Sequence, residues 1–174
     1  SHFDNMRGFF LRNGFDRVID EKDYDQWKFK GTWGVSDEDL FERSHQEFEA
    51  FGNQPFMGLI FTSSYHSPFE FPEGRLKADE LSDNPEHNAV RYADFALGHF
   101  FDLARHSSYW DRTIFLVVAD HDSRVRGAEL VPIRHFHIPG LIIGPDIAPK
   151  AYTQVASQID LPPTLLSLMG ITGE

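Results

Sequence analysis

The sequence predicts an α/β domain built on an open, mostly parallel sheet flanked by helices. Three observations carry that prediction. Apolar runs without polar alternation recur at residues 56–63, 113–119 and 138–143, the pattern of strands covered on both faces. Helical segments with a single apolar face stand beside and between them. The resulting order of strand, helix, strand, strand and helix is that of a sheet wrapped by helices.

Taken in order, residues 3–13 read as a short helix, with Phe9, Phe10 and Asn13 near one face and Gly14 as its stop. Residues 16–32 are polar and aromatic and read as loop. Ser36 is placed to N-cap the next helix, with Asp37, Glu38 and Asp39 beside the positive end of its dipole. Leu40, Phe41, Phe48 and Phe51 give that helix its apolar face, and Gly52 ends it. After the strand-like run 56–63 comes a Pro-, Gly- and acid-rich loop over 68–83. Asn84 and Pro85 then open a long helix to about His106, with Ala89, Ala93, Ala96, Phe100 and Leu103 on one stripe. Residues 113–119 and 138–143 are the second and third strands. Residues 160–169 form a last helix whose Pro162 and Pro163 sit in the first turn, where no amide bond is lost. The chain opens inside a helix with no strand before it, so this reading expects an incomplete domain.

Composition narrows the function classes. The chain has 174 residues, 16 Lys plus Arg and 27 Asp plus Glu, for a formal charge of −11. An acidic balance argues against a nucleic-acid groove, which needs a basic patch. There is no cysteine, hence no disulfide framework, no thiolate nucleophile and no sulfur-ligated metal. No apolar run is long enough to span a bilayer. A hydrophobic content of 41% with 17 Phe marks a packed chain and not a disordered one.

Chemistry in open α/β sheets gathers beyond the carboxyl ends of the strands. The first apolar run ends in Ser63, Ser64 and His66, and the second in Asp120, His121 and Asp122. An Asp-His pair leaving a strand can turn an oxygen and a nitrogen to one divalent ion, and O and N ligands without sulfur suit Mn, Mg or Zn. By spacing alone the same pair reads more often as a cap or a surface pair, and His66 more often still as an ordinary loop histidine. His135 and His137 have chelating spacing but also read as backbone partners before a strand. Arg124 and Arg126 either meet a phosphate or offset the acids. Trp33 before Gly34 reads as packing. Ser63 and Ser64 lack a base held by an acid, so neither reads as a nucleophile.

Several segments, each weak alone, occur together in order: Phe3-Asp4-Asn5-Met6 with Asn13-Gly14-Phe15-Asp16, Trp33-Gly34-Val35-Ser36-Asp37, Tyr65-His66-Ser67-Pro68-Phe69, Arg91-Tyr92-Ala93-Asp94, Val118-Ala119-Asp120-His121, His137-Ile138-Pro139-Gly140, and Gln158-Ile159-Asp160-Leu161-Pro162-Pro163-Thr164. In these the sequence resembles the alkaline phosphatase superfamily and, within it, the sulfatase-like phosphoglycerol transferases related to lipoteichoic acid synthase. The resemblance implies an extracytoplasmic, membrane-anchored enzyme. In this family a threonine attacks a phosphoglycerol-bearing phospholipid, and a divalent ion, usually Mn²⁺ with Mg²⁺ or Zn²⁺ as alternatives, holds the threonine oxygen and the phosphate. The acceptor is a glycan or glycerol hydroxyl. The family's late Asp-His metal ligands match Asp120 and His121, and its phosphate-pocket histidine matches His66. Substrate contacts fall on Asp4 and Asn5, which stand where the lipoteichoic acid enzymes have Trp-Asn and so leave the head group open. Asp122 stands where many relatives have Gly. The glutamate ligand and the threonine nucleophile match nothing in this chain. Residues 1–174 are therefore expected to be the C-terminal portion of the catalytic domain. That portion should be inactive alone and associated with the rest of its domain or with another copy. Two further readings remain open at this level: a sulfatase or phosphodiesterase with water as acceptor, and a non-catalytic α/β interaction module.

Overall fold

A computed structural model describes residues 5–122, 130 and 132–171. The chain divides into two compact units, residues 1–108 and 109–174.

The first unit is organised by two helices. Helix α1 (Met6–Arg12) is short and solvent-facing, entered through Asn5 in a left-handed conformation. A two-residue hairpin follows, β1 (Lys30–Gly31) and β2 (Gly34–Val35), with Thr32 and Trp33 at its tip. Helix α2 (Asp37–Ala50) packs on helix α3 (Pro85–Ala104). Both start where the sequence predicts. Ser36 Oγ accepts from the Asp39 amide, Asn84 Oδ1 accepts from the Glu86 amide, and Pro85 occupies the first turn of α3. The apolar seam stacks Phe41 on Phe100 with ring centroids 5.1 Å apart. The buried stripe of α3 runs Ala89, Tyr92, Ala96, Phe100, Phe101 and Ala104. It is turned slightly from the expected Ala93–Leu103 line, because Tyr92 is drawn in to reach Glu38.

The acidic first turn of α2 is the hub of this unit. Asp37, Glu38 and Asp39 are buried, at 1%, 4% and 8% exposure. The helix dipole alone cannot bury three carboxylates, since each must keep its hydrogen bonds once water is removed. Asp37 Oδ1 accepts from the amides of Ser63 and Ser64, each at 3.0 Å, while its own amide donates to Ser64 Oγ. Glu38 Oε2 accepts from Arg75 Nε at 2.7 Å and from the Tyr92 hydroxyl at 3.2 Å. Asp39 takes the amides of Lys28 and Phe29 and the Ser36 hydroxyl. Three successive residues thus tie down three separate loops. Burial, the dominant influence, pushes the Tyr92 hydroxyl well above its ordinary value.

Residues 56–63 depart from expectation. They pair with no strand among the described residues, and Met57, Leu59 and Phe61 are 79%, 53% and 55% exposed. Apolar composition favours a covered strand, but a strand exists only where a neighbouring edge supplies the other half of the ladder.

In the second unit, β3 (Phe115–Val118) pairs with β4 (Gly140–Ile143), Phe115 opposite Ile143 and Val118 opposite Gly140. The expected strands are present, but the ladder is antiparallel, as is the hairpin of the first unit. A parallel pair needs a crossover, usually through a substantial helix. The described part of the connection holds only the four-residue α4 (Ile133–Phe136), and the chain reverses beside β3. Helix α5 (Leu161–Leu168) closes the unit, with Pro162 and Pro163 in its first turn as expected.

Replacing Asp37 by Ala strands two amides and is expected to cost on the order of 3 kcal/mol. Urea unfolding of the two chains compares them directly, and equal midpoints would contradict the hub.

Candidate functional site

The residues singled out from the sequence fall in two places. His66 lies in the first unit, and Asp120 and His121 lie in the second. Asp4, Arg124 and Arg126 lie outside the described residues. Asn5 is exposed, and its side chain lies over Gly8, where an added Cβ would come within 2.6 Å of the Asn5 Oδ1.

At the end of β3 the chain turns so that Asp120 and His121 face one another. The His121 amide donates to Asp120 Oδ1 at 2.9 Å, which leaves Oδ2 turned towards His121 Nε2 at 3.3 Å. His121 Nδ1 lies 2.7 Å from the Asp122 carbonyl oxygen. A carbonyl only accepts, so Nδ1 carries a proton, and Nε2 is the ring nitrogen turned to the carboxylate. An imidazole whose far nitrogen donates to a backbone carbonyl is the usual arrangement of a metal-ligating histidine. This chain therefore presents one oxygen and one nitrogen ligand that fit a divalent cation. Among the described residues no third carboxylate or imidazole joins them.

Gln158 holds this turn, a role that no feature of its sequence neighbourhood signals. Its Nε2 donates to the carbonyls of Ala119 and Asp120, each at 3.0 Å. The side chain is placed for this by the turn of 3₁₀ helix that leads into α5, where Asp160 Oδ2 accepts from the Ser157 amide.

The spacing of His135 and His137 does not make a chelate. His135 lies inside α4 and His137 just past its end, so the expected lead-in to a strand is a helical turn. Residues two apart on a helix point about 200° away from each other. His135 Nδ1 instead stands 3.7 Å from Asp122 Oδ2.

His66 sits on the loop after residues 56–63, anchored through the Ser63 and Ser64 amides on Asp37. Its Nδ1 is 2.9 Å from the Ser67 carbonyl oxygen, again an acceptor only, so the proton is on Nδ1. The Ser64 hydroxyl accepts from the Asp37 amide and Nδ1 of His66 is turned to Ser67, so the two do not form a nucleophile–base pair. Trp33 reads from the sequence as packing, and it does pack, though not in a core. It is instead nearly half exposed, and its ring lies against His66 with centroids 4.1 Å apart. On the other side of the same hairpin tip, the Thr32 amide donates to Glu70 Oε2 at 2.7 Å. Hydrogen bonding to Thr32, from its side chain first and then its amide, holds the Glu70 carboxyl below its ordinary value.

The sulfatase family model matches residues 1–171. The chain belongs to the sulfatase family. It resembles a crystal structure of a protein in the alkaline phosphatase superfamily from Vibrio parahaemolyticus, with 56% identity, a TM-score of 0.91 and 97% of this chain covered. That likeness places the chain in the α/β fold class of the superfamily, as the sequence predicts. Among curated proteins it is 25% identical to the lipoteichoic acid synthase-like YvgJ of Bacillus subtilis over 91% of this chain. It is also 25% identical to lipoteichoic acid synthase 1 of Bacillus subtilis over 99% of this chain, and 23% identical to the lipoteichoic acid synthase of Staphylococcus saprophyticus over 91%. The chain spans 29%, 30% and 27% of the length of those three relatives and 42% of the Vibrio chain. The sequence-stretch resemblance to the lipoteichoic acid synthase-like members is thereby shown at family level.

Two outcomes follow from this geometry. The lowered Glu70 value means the folded form favours the carboxylate. The latch on Thr32 is complete above the usual glutamate range and is lost as pH falls through the lowered value. The Thr32 amide resonance should therefore move with an acid transition below the ordinary glutamate range, absent in Glu70→Gln, and a flat profile in the parent chain would contradict the latch. Gln158→Leu should speed amide hydrogen exchange at residues 119–121 while leaving α3 protected, and unchanged exchange there would show that the clamp holds nothing.

Proposed function

We propose that this chain is the C-terminal portion of the catalytic domain of a metal-dependent transferase. The enzyme moves a phosphoglycerol-type head group from a phospholipid to a glycan or glycerol hydroxyl on the outer side of the cell membrane. The observation that carries the reading is the Asp120–His121 turn. A carboxylate oxygen and an imidazole nitrogen of fixed tautomer stand 3.3 Å apart in a member of this family. The likeness to lipoteichoic acid synthases supports phosphodiester chemistry. Among the described residues no helix is long and apolar enough to cross a membrane.

Asp120 Oδ2 and His121 Nε2 would hold a divalent ion, most simply Mn²⁺, with Mg²⁺ or Zn²⁺ as alternatives. Bound there, the ion would neutralise charge on the attacked phosphate and lower the pKa of a coordinated hydroxyl. His66 offers Nε2 to the substrate. Protonated, it donates a hydrogen bond to a phosphoryl oxygen or a proton to the leaving alkoxide. Asn5, with Asp4, would line the head-group side.

The nucleophile, a threonine in this reading, lies N-terminal to Ser1, as does a glutamate ligand. Its oxygen bonds phosphorus as the diacylglycerol oxygen leaves with a proton. An acceptor hydroxyl then attacks the same phosphorus and releases the threonine. The domain's remaining part, or a second copy, is the partner against which the exposed run 56–63 would pack. The name of the matching family, sulfatase, keeps a second reading in play, in which water is the acceptor.

In the full-length enzyme, Asp120→Ala and His121→Ala should each abolish turnover and lower bound metal. His66→Ala should slow turnover by about 10²–10³-fold with metal content intact. Turnover and elemental analysis of the three variants check this, and full activity in either ligand variant would remove the metal role. Products from a fluorescent phosphatidylglycerol analogue separate the two readings: a glycerophosphate-bearing acceptor indicates transfer, and free glycerophosphate indicates hydrolysis. The 174-residue chain alone should show neither product.

A further inference from the structure

We propose that Trp33 is a positioning residue that fixes the tautomer and facing of the His66 imidazole. The indole Nε1 donates to the Ser67 carbonyl oxygen at 2.8 Å, the same oxygen that His66 Nδ1 engages at 2.9 Å. A carbonyl oxygen has two lone pairs, so both donors are accommodated and the acceptor is saturated. The two rings lie 4.1 Å apart with planes 49° from parallel, so the indole also blocks one face of the imidazole. Rotation of His66 about its side chain would break the Nδ1 bond and lose the ring contact together.

An aromatic at the tip of a two-residue hairpin, nearly half exposed, contributes little to a core. The hairpin, by contrast, is pinned along its length. The Ser36 amide donates to the Phe29 carbonyl, Asp39 holds the Lys28 and Phe29 amides, and Glu70 holds the Thr32 amide. The hairpin tip and the His66 loop line one small cavity together. With Nδ1 committed, Nε2 is the nitrogen left for a ligand. The positioning itself stands on this geometry. Its catalytic consequence rests on the placing of His66 on a phosphoryl oxygen proposed above.

The test reads the tautomer directly. In the 174-residue chain labelled with ¹⁵N-histidine, long-range ¹H–¹⁵N spectra above the imidazole titration should show His66 as one neutral form with the proton on Nδ1. Trp33→Leu should convert it to the averaged pattern of an unconstrained ring, and Trp33→Phe, which keeps a ring but no donor, should give an intermediate one. The other eight of the 9 histidines report whether the fold is intact. An unchanged His66 pattern in a folded Trp33→Leu overturns the proposal. If that variant does not fold, an unchanged pattern in Trp33→Phe does so.

In the full-length enzyme, Trp33→Leu should lower kcat by about 10²-fold, with little change in KM. It should add nothing on a His66→Ala background. Additive losses in the double variant would also overturn the proposal, since Trp33 would then act by another route. If His66→Ala leaves turnover unchanged, the placing of His66 on phosphate fails, and the tautomer spectra still decide the positioning.

Discussion

The burial of three consecutive carboxylates at the start of α2 is the constraint on which the first unit depends. A carboxylate removed from water must be given hydrogen bonds or it destabilises the fold by several kcal/mol. Here the donors are supplied by segments far apart in sequence: the amides at 28–29, the guanidinium of Arg75, the Tyr92 hydroxyl and the amides at 63–64. The same requirement that makes the acids expensive makes the loops ordered. Hairpin, α3 and His66 loop are each held by a bond that the helix start cannot do without.

One piece of backbone logic recurs at two candidate histidines, one in each unit. His66 and His121 each turn Nδ1 to a nearby carbonyl, of Ser67 and Asp122 respectively. The main chain thereby sets the protonation pattern of a side chain whose chemistry depends on which nitrogen is free. Around each, a neighbour from elsewhere in its unit steadies the turn: Trp33 on the Ser67 carbonyl, Gln158 on the carbonyls of Ala119 and Asp120. Neither neighbour bears a group that reacts, so neither stands out in a search for acids, bases and nucleophiles.

Much of this was legible in the residues. The helix starts at Ser36 and Asn84 follow from capping chemistry that acts within a few residues. The strands at 115–118 and 140–143 follow from β-branched and apolar runs. The family was legible because its motifs recur in order over nearly the whole chain. The spacing of His135 and His137 left a chelate and a backbone role both open, and the helical turn that forms at 133–136 separates side chains that a strand would bring together. The run at 56–63 misled. Its composition is that of a strand, but pairing is supplied by a neighbour and not by the run itself.

The sequence by itself determined what depends on short range: where helices begin and end, which faces are apolar, which residues carry O and N donors, and to which family the chain belongs. Tertiary structure alone decided the direction of the β3–β4 ladder, the partners of Asp37, Glu38 and Asp39, and the tautomers of His66 and His121. It also decided that the ring Trp33 packs against is an imidazole. The physical reason is the range of the interactions. Caps and periodicity act over one or two turns of chain, whereas the partner of a buried charge is whichever donor the fold brings within about 3 Å, at any distance in sequence.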